Sequence, residues 1–256
     1  MSHLNRKSKN FFNLFFSFIY TQFIASNSYR SRLFSKSAYT LVVRLFAPAL
    51  AFEMMGSSGL ILSMGFHYLL TNMVAWSLHY NHAFSPWVRI RIAFAAMICG
   101  GLTLFAGSLF SNPILVIAAA GIFGIYEAFK WTAWHQVRED EHGSSKEEVA
   151  RWNTFEKSLA AFFLFVAAFW SDYAAPELCM ALGLIFAIFG LLNTPASSIN
   201  PPSFDPVLSN LQARKRIYLV LPFLEGVAAV SWVFYLRLIS LDGTLSNVPL
   251  IGTGII

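Results

Sequence analysis

The run from Ile92 to Tyr126 restricts the fold of this chain most, because it contains no charged residue. A membrane-spanning helix needs about 20 mostly apolar residues, so the run is too long for a single crossing. Ser111-Asn112-Pro113 interrupts it, and proline ends a helix while serine and asparagine suit a turn. The run therefore predicts two helices that cross a membrane in opposite directions.

The composition extends this interpretation to the whole chain. Hydrophobic residues make up 56% and charged residues 12% of the 256 residues, and phenylalanine alone occurs 26 times. So few polar side chains cannot cover a surface that faces water. We therefore expect an all-α, polytopic membrane helix bundle surrounded by the lipid bilayer. The basic residues that give the net charge of +5 lie mostly in the loops between the apolar stretches. We therefore expect no nucleic-acid partner.

Seven stretches have the length and apolar content of membrane-spanning helices. They are Ala38–Met55, Leu60–Tyr80, Ile92–Phe110, Ile114–Trp134, Trp152–Trp170, Leu178–Asn193 and Ile217–Leu236. The first six form a six-helix bundle over residues 38–193, and the proline-rich segment 194–216 reads as a cytoplasmic linker. Residues 217–256 then hold the seventh helix and the opening of an eighth that we expect to be truncated.

The basic residues predict the orientation in the membrane. All but three of the 18 Lys and Arg residues fall in the N-terminal arm or in even-numbered connections. The first, third and fifth connections carry none. Since basic residues collect on the cytoplasmic side, this alternation predicts seven spans and a cytoplasmic N-terminus, in a cell or inner membrane.

The N-terminal arm, residues 1–37, contains a short apolar segment with two interpretations. Phe11–Ala25 follows basic residues and resembles a signal peptide. If Phe11–Ala25 were a cleaved signal peptide or a first membrane span, every later loop would change sides. The basic loops would then face away from the cytoplasm. Asn13, Ser17 and Thr21 form a polar stripe on a phenylalanine-rich helix, so we favour an amphipathic helix in the cytoplasmic interface.

Local motifs add to this layout. The fourth span ends in Gly124–His135 and runs into a charged loop and a new helix. The first and seventh spans end in similar small-residue turns, Gly56–Gly59 and Asp242–Thr244, each before a renewed apolar run. Glycines within the spans allow close helix approach; they are Gly100, Gly101, Gly121, Gly124, Gly183 and Gly190.

With six spans, a long linker and further spans, the chain resembles the major facilitator superfamily, whose members carry two six-helix halves. Of that family's glycine- and arginine-rich loop between helices 2 and 3, only the basic Arg89 and Arg91 are present here. The resemblance implies a major-facilitator-like half plus a seventh helix. It also implies secondary transport of a small solute, with proton coupling, and a C-terminal half or another membrane subunit as partner.

Ionisable residues inside apolar spans are costly and mark candidate sites. Glu225 lies near the middle of the predicted helix 7, and His67 lies about 10 Å from the outer end of helix 2. Both are candidates for substrate binding or proton coupling. The alternatives are a protonated Glu225 that bonds a neighbouring helix and a His67 that serves only in packing.

Three further charged residues are candidates for the same roles. Glu127 and Lys130 are three residues apart on helix 4, and they also suit a self-neutralising pair. Arg44, about six residues into helix 1, can extend to the interface, bind an anionic substrate or pair with Glu225.

Enzymatic function has no support in the sequence. It contains no nucleophile–base motif, phosphate loop or dinucleotide fingerprint. The histidines give no metal-ligand pattern, and we expect no metal and no cofactor. A non-transporting membrane subunit or scaffold in a larger complex is the alternative to a transporter.

Overall fold

The structure, a computed structural model, describes residues 27–80, 84–142, 158 and 176–195. These residues are almost entirely helical and contain no strand, which confirms the all-α class for this part of the chain. Its elements are α1 (Asn27–Ala38), a π-helix (Tyr39–Phe46), α2 (Ala47–Tyr80), α3 (Pro86–Leu109), α4 (Pro113–His142) and α5 (Pro176–Asn193). The predicted interfacial helix, the linker after residue 195, the seventh span and the opening of an eighth lie outside the described residues, as does nearly all of the fifth span.

Three helical stretches of the described chain are long and apolar enough to cross a membrane. They are Arg30–Leu78, Pro86–Leu109 and Pro113–Trp134, and Glu177–Asn193 is a shorter apolar helix. Large apolar side chains remain exposed along them, among them Leu62, Met73 and Leu109. Such surfaces are stable in lipid and unfavourable in water. The described chain thus has the helices of an integral membrane protein.

The first helical stretch reverses its direction at Gly56. Tyr39 and His67 both bond the carboxylate of Glu127, yet a straight helix would hold residues 39 and 67 about 42 Å apart. Gly56 breaks the helix with φ 67° and ψ −157°, a conformation open essentially only to glycine. The small-residue turn predicted at Gly56–Gly59 is confirmed at its first residue.

We expect Gly56→Ala to destabilise the protein by about 1–3 kcal/mol, because alanine is strained at this φ and ψ. Nothing lies within 4 Å of the position a Cβ would take, so the effect would come from backbone strain alone. Unfolding in mixed detergent micelles measures it. Ser58→Ala, two residues further in the exposed turn, is the control and should change stability by less than about 0.5 kcal/mol. Equal stability of Gly56→Ala and wild type would contradict the strained turn.

The turn between α3 and α4 lies where the sequence places it. Ser111 has a positive φ of 47°, and the side chain of Asn112 accepts a hydrogen bond from the backbone of Ile114 at 3.0 Å. Pro113 then begins α4. Gly107 packs on Val116 and Gly100 packs on Phe123, so α3 and α4 run antiparallel.

Helical structure is present before the first predicted span, which starts at Ala38, because Asn27–Ala38 already form helix α1. The serines and arginines of this helix lower its mean hydropathy, so a search for apolar stretches of the sequence does not find it. Neighbouring helices nevertheless bury its serines: Ser31 bonds Thr194 at 2.9 Å, and Ser35 bonds Tyr126 at 2.6 Å. The helix therefore continues into the segment assigned to the N-terminal arm.

The remaining helices complete a bundle around α4. The second arm of α2, residues 57–80, packs on α4, and so does α3. Helix α5 packs on α1, the π-helix and α3, with Gly183 against Val42 and Gly190 against Phe94. These contacts confirm the close helix approach expected at the glycines. The core that results centres on Phe94, Phe123 and Tyr126.

Candidate functional site

A histidine and a glutamate from different helices meet in the buried interior. His67 of α2 and Glu127 of α4 are only 7% and 5% exposed. The His67 Nε2 atom lies 2.6 Å from Glu127 Oε2. Two ionisable groups in an apolar bundle are costly unless they are paired and hydrogen-bonded, and this pair is both.

The second ring nitrogen of His67 determines which protons this pair holds. His67 Nδ1 lies 3.2 Å from the backbone oxygen of Ala120. A carbonyl oxygen only accepts, so Nδ1 carries a hydrogen and donates it. The short contact between Nε2 and Oε2 then needs one further proton between them. Either an imidazolium donates to a carboxylate, or a carboxylic acid donates to a neutral imidazole.

Loss of the shared proton would break this contact, and gain of a second proton would weaken it. Without the shared proton, a lone pair on Nε2 faces the carboxylate. With a second proton, an imidazolium faces a neutral acid, whose carbonyl oxygen is a weaker acceptor than a carboxylate. The pair is therefore stable with one shared proton, and a change in its protonation favours separation of α2 from α4.

A tyrosine from the first helical stretch holds the other oxygen of the carboxylate. The Tyr39 hydroxyl donates to Glu127 Oε1 at 3.0 Å. Tyr39 is 7% exposed and opens the π-helix. π-Helical turns are rare and are frequent at functional sites. Glu127 thus joins three segments of the bundle: the π-helix, α2 and α4.

Two cations lie near the Tyr39 ring. The Lys130 ammonium is 4.0 Å from the ring centroid, and the Arg44 guanidinium carbon is 5.6 Å from it. Lys130 also lies 5.3 Å from the ring of Tyr126, which stacks on Tyr39 at 5.9 Å. Cations over aromatic faces are stabilised by the ring quadrupole. The charge of Lys130 also acts on the Glu127 carboxylate.

A glycine on α4 brings the His67–Glu127 pair together. Gly124 lies one turn before Glu127, and its Cα packs directly on the backbone of His67. Thr71 joins the same two backbones: its hydroxyl lies 2.9 Å from the His67 oxygen and 3.2 Å from the Gly124 oxygen. The helices approach closely because no side chain stands between them.

A recess of about 190 Å³ lies elsewhere in the bundle, lined in part by Glu53, Ser108, Ser111 and Glu177. Ser111, which lines the recess, lies two residues before Pro113, the first residue of α4. Glu127 lies about 21 Å further along this helix. The recess is thus separate from the His67–Glu127 pair.

The structure brings together four of the five residues that the sequence singles out. Glu127, Lys130 and Arg44 lie around Tyr39, and His67 joins them through Glu127, whereas Glu225 lies outside the described residues. The sequence predicts Lys130 as a neighbour of Glu127, and the charge of Lys130 does act on this carboxylate. It does not predict the hydrogen bonds of Glu127 to His67 and Tyr39. It missed Tyr39, an ordinary aromatic residue by composition; its one signal is its position five residues before Arg44 in the same span.

No three His, Cys, Asp or Glu side chains of the described residues come close enough to hold a metal ion. The two cysteines, Cys99 and Cys179, are free thiols.

The chain was compared with protein-family models, with curated proteins and with solved structures. None of the three comparisons finds a match. The His67–Glu127 pair and the residues that contact it are therefore the basis for the function of this chain.

Proposed function

We propose that this chain is a proton-coupled secondary transporter of a small solute, or part of one, related in layout to the major facilitator superfamily. The observation that carries this proposal is the His67–Glu127 pair, buried between two helices able to span a membrane. Ionisable residues at such positions are costly and mark ion or substrate pathways. This pair holds a proton whose loss or gain favours helix separation.

The arrangement supports coupling between proton and helix movement. Glu127 connects α4 to α2 through His67 and to the π-helix through Tyr39. A second proton on the pair would weaken both connections at once, because it leaves a neutral acid, a weaker acceptor than a carboxylate, facing His67 and Tyr39. Such a two-state contact is what alternating access requires, with the basic loops on the cytoplasmic side.

The position of Arg44 favours an acidic solute. Arg44 is exposed, and its guanidinium carbon lies 5.6 Å from the centroid of the Tyr39 ring. A solute carboxylate near Tyr39 would be attracted by this positive charge. Glu225, from the predicted helix 7, remains a proposed contributor to the same site.

Glu127→Gln tests the proposal. Glutamine keeps the size of the side chain and accepts from Tyr39, but it cannot exchange a proton. We expect solute-driven proton flux to fall by about 100-fold or more, the loss typical of a missing proton-transfer group. The assay uses proteoliposomes that contain a pH-sensitive dye and are given a panel of small organic acids, neutral solutes and amines. Glu53→Gln, the same exchange at an exposed carboxylate, should retain the flux.

Unchanged proton-coupled uptake in Glu127→Gln would exclude this mechanism. The same assay with Glu225→Gln tests the predicted helix 7. Loss of solute movement without loss of proton binding would assign Glu127 to the solute instead of the proton.

A second candidate is a non-transporting membrane subunit. It is favoured by the separation of the recess near Ser111 from the His67–Glu127 pair. In this case the buried pair only joins helices. A stoichiometric protein partner retained in mild detergent, with no solute flux in its presence or absence, would favour this function.

A further inference from the structure

One end of the bundle collects arginine and tryptophan side chains from three helices. Arg89 and Arg91 lie near the start of α3, Arg32 lies on α1, and Trp134 lies on α4. The guanidinium of Arg32 stands 5.6 Å from the Trp134 ring. Trp87 packs edge-on against Trp134, with ring centroids 6.1 Å apart. We call the group formed by Arg89, Arg32, Trp87 and Trp134 the arginine end; Arg91 lies beside it and donates to the backbone oxygen of Thr194.

Two donors at the arginine end are buried without an acceptor among the described residues. Arg89 is 6% exposed, and its Nε atom has no hydrogen-bond partner there. Trp134 is 7% exposed, and its Nε1 atom is in the same situation. A buried donor left without an acceptor costs about 1–3 kcal/mol, more when it is charged, so both atoms require a partner.

The packing of α3 on α4 brings the two donors to the same level. Gly107 meets Val116 and Gly100 meets Phe123, and this antiparallel register places Arg89 level with Trp134. The contact between Trp87 and Trp134 agrees with that register. The unfilled donors therefore lie at the same level of the bundle, on the two helices that Trp87 and Trp134 join.

The surroundings of Arg89 favour an anion. Arg32 adds a positive charge at the Trp134 ring. The N-terminus of α3, where Ser85 caps the backbone of Val88 at 3.4 Å, adds the positive end of a helix dipole. Arg91 is exposed and donates to the Thr194 backbone oxygen at 3.4 Å. Guanidinium groups bind phosphate oxygens bidentately, and helix N-termini favour the same ligand.

We infer that the arginine end binds a phosphate group, with Arg89 and Trp134 as its central donors. The source that suits a membrane protein is the headgroup of an anionic phospholipid, since basic pockets between membrane helices bind such headgroups. Tryptophan at this position supplies a polar N–H beside an apolar ring, as at a membrane interface. This inference is independent of the transport proposal, because the His67–Glu127 pair takes no part in it.

Native mass spectrometry of the full chain in detergent tests the inference. Phosphatidylglycerol is the anionic probe, and phosphatidylcholine, which carries the same phosphate with a choline charge, is the matched neutral probe. We expect the wild-type chain to bind phosphatidylglycerol about tenfold more tightly. Arg89→Gln should lose about tenfold in that affinity, as expected for a charged hydrogen bond. Trp134→Phe keeps an aromatic ring but removes the N–H donor, so its affinity for phosphatidylglycerol should fall a few-fold.

Arg91→Gln is the matched control. It removes the same charge from the same end but leaves Arg89 and Trp134 in place, so we expect a loss below about threefold. Arg89→Lys keeps the charge without the planar fork and should lose several-fold, which preserves the test should Arg89→Gln fail to fold. Equal binding of both lipids, or equal losses in Arg89→Gln and Arg91→Gln, would overturn the inference.

Inorganic phosphate distinguishes the two sources of the ligand. If phosphate displaces phosphatidylglycerol from the wild-type chain but leaves residual lipid on Arg89→Gln unchanged, the site binds free phosphate as well. If phosphate does not compete while Arg89→Gln still reduces lipid binding, the site requires the lipid.

Discussion

Replacing Glu127 by leucine is expected to destabilise the protein by about 3–5 kcal/mol, the range for breaking a buried ion pair by removal of one partner. The substitution leaves His67 Nε2 and the Tyr39 hydroxyl facing an apolar side chain. Neither can reach water, because His67 and Tyr39 are both 7% exposed. Unfolding in mixed micelles, followed by circular dichroism, measures the loss. Glu53→Leu removes an exposed carboxylate and should change stability by less than about 0.5 kcal/mol.

A double-mutant cycle measures the interaction energy between His67 and Glu127 apart from their other contacts. His67→Phe with Glu127→Leu removes both ionisable groups, so no charge remains unpaired between α2 and α4. We expect the double variant to be more stable than Glu127→Leu alone, because apolar replacements of a buried pair are often neutral or stabilising. Additive losses would show that the two side chains contribute independently, contrary to the 2.6 Å contact.

Gly124→Ala is expected to destabilise the protein by about 2–3 kcal/mol, near the upper end for an added group in a packed core. Its Cβ would meet the carbonyl of His67 and, at 3.1 Å, the backbone nitrogen of Thr71. Backbone atoms cannot rotate away as a side chain can, so α2 and α4 would have to separate. Separation would also lengthen the His67–Glu127 contact. Solute-driven proton flux should therefore fall together with stability.

Gly65→Ala provides the matched control for Gly124→Ala. Gly65 lies on the exposed side of α2, and nothing lies within 4 Å of its Cβ position. Alanine there should stabilise the helix by up to about 1 kcal/mol. Gly121→Ala should fall between the two, because the atoms it would meet belong to the movable side chains of Phe66 and Leu70. Equal effects of the alanine substitutions at residues 65 and 124 would contradict the described approach of α2 and α4.

Turn chemistry was the most accurate part of the sequence reasoning. Proline and glycine restrict the backbone through their own covalent structure, so the turns at Gly56 and Ser111–Pro113 could be located without tertiary information. Helix ends were less accurate. Helix α1 (Asn27–Ala38) lies before the first predicted span, and its Ser31 and Ser35 bond residues far along the chain, which a hydropathy window does not register.

The candidate site was predicted as separate residues and not as a unit. The cost of ionisable groups among apolar ones identifies His67, Arg44, Glu127 and Lys130 from the sequence alone. Their hydrogen-bond partners do not follow from it. Spacing predicts Lys130 as a neighbour of Glu127, and its charge does act on this carboxylate. His67 and Tyr39, which form the hydrogen bonds with Glu127, approach from other helices, and spacing does not indicate them.

The sequence by itself determined that this chain forms apolar helices, where the described ones turn, and which charged residues lie within them. These properties depend on side-chain hydration and backbone restriction, which act over a few neighbouring residues. Only the tertiary structure decided that Tyr39 and His67, on the two arms of the first helical stretch, meet at one carboxylate. The physical reason is that the meeting depends on how closely Gly124 lets two helices approach, and on the register in which they pack.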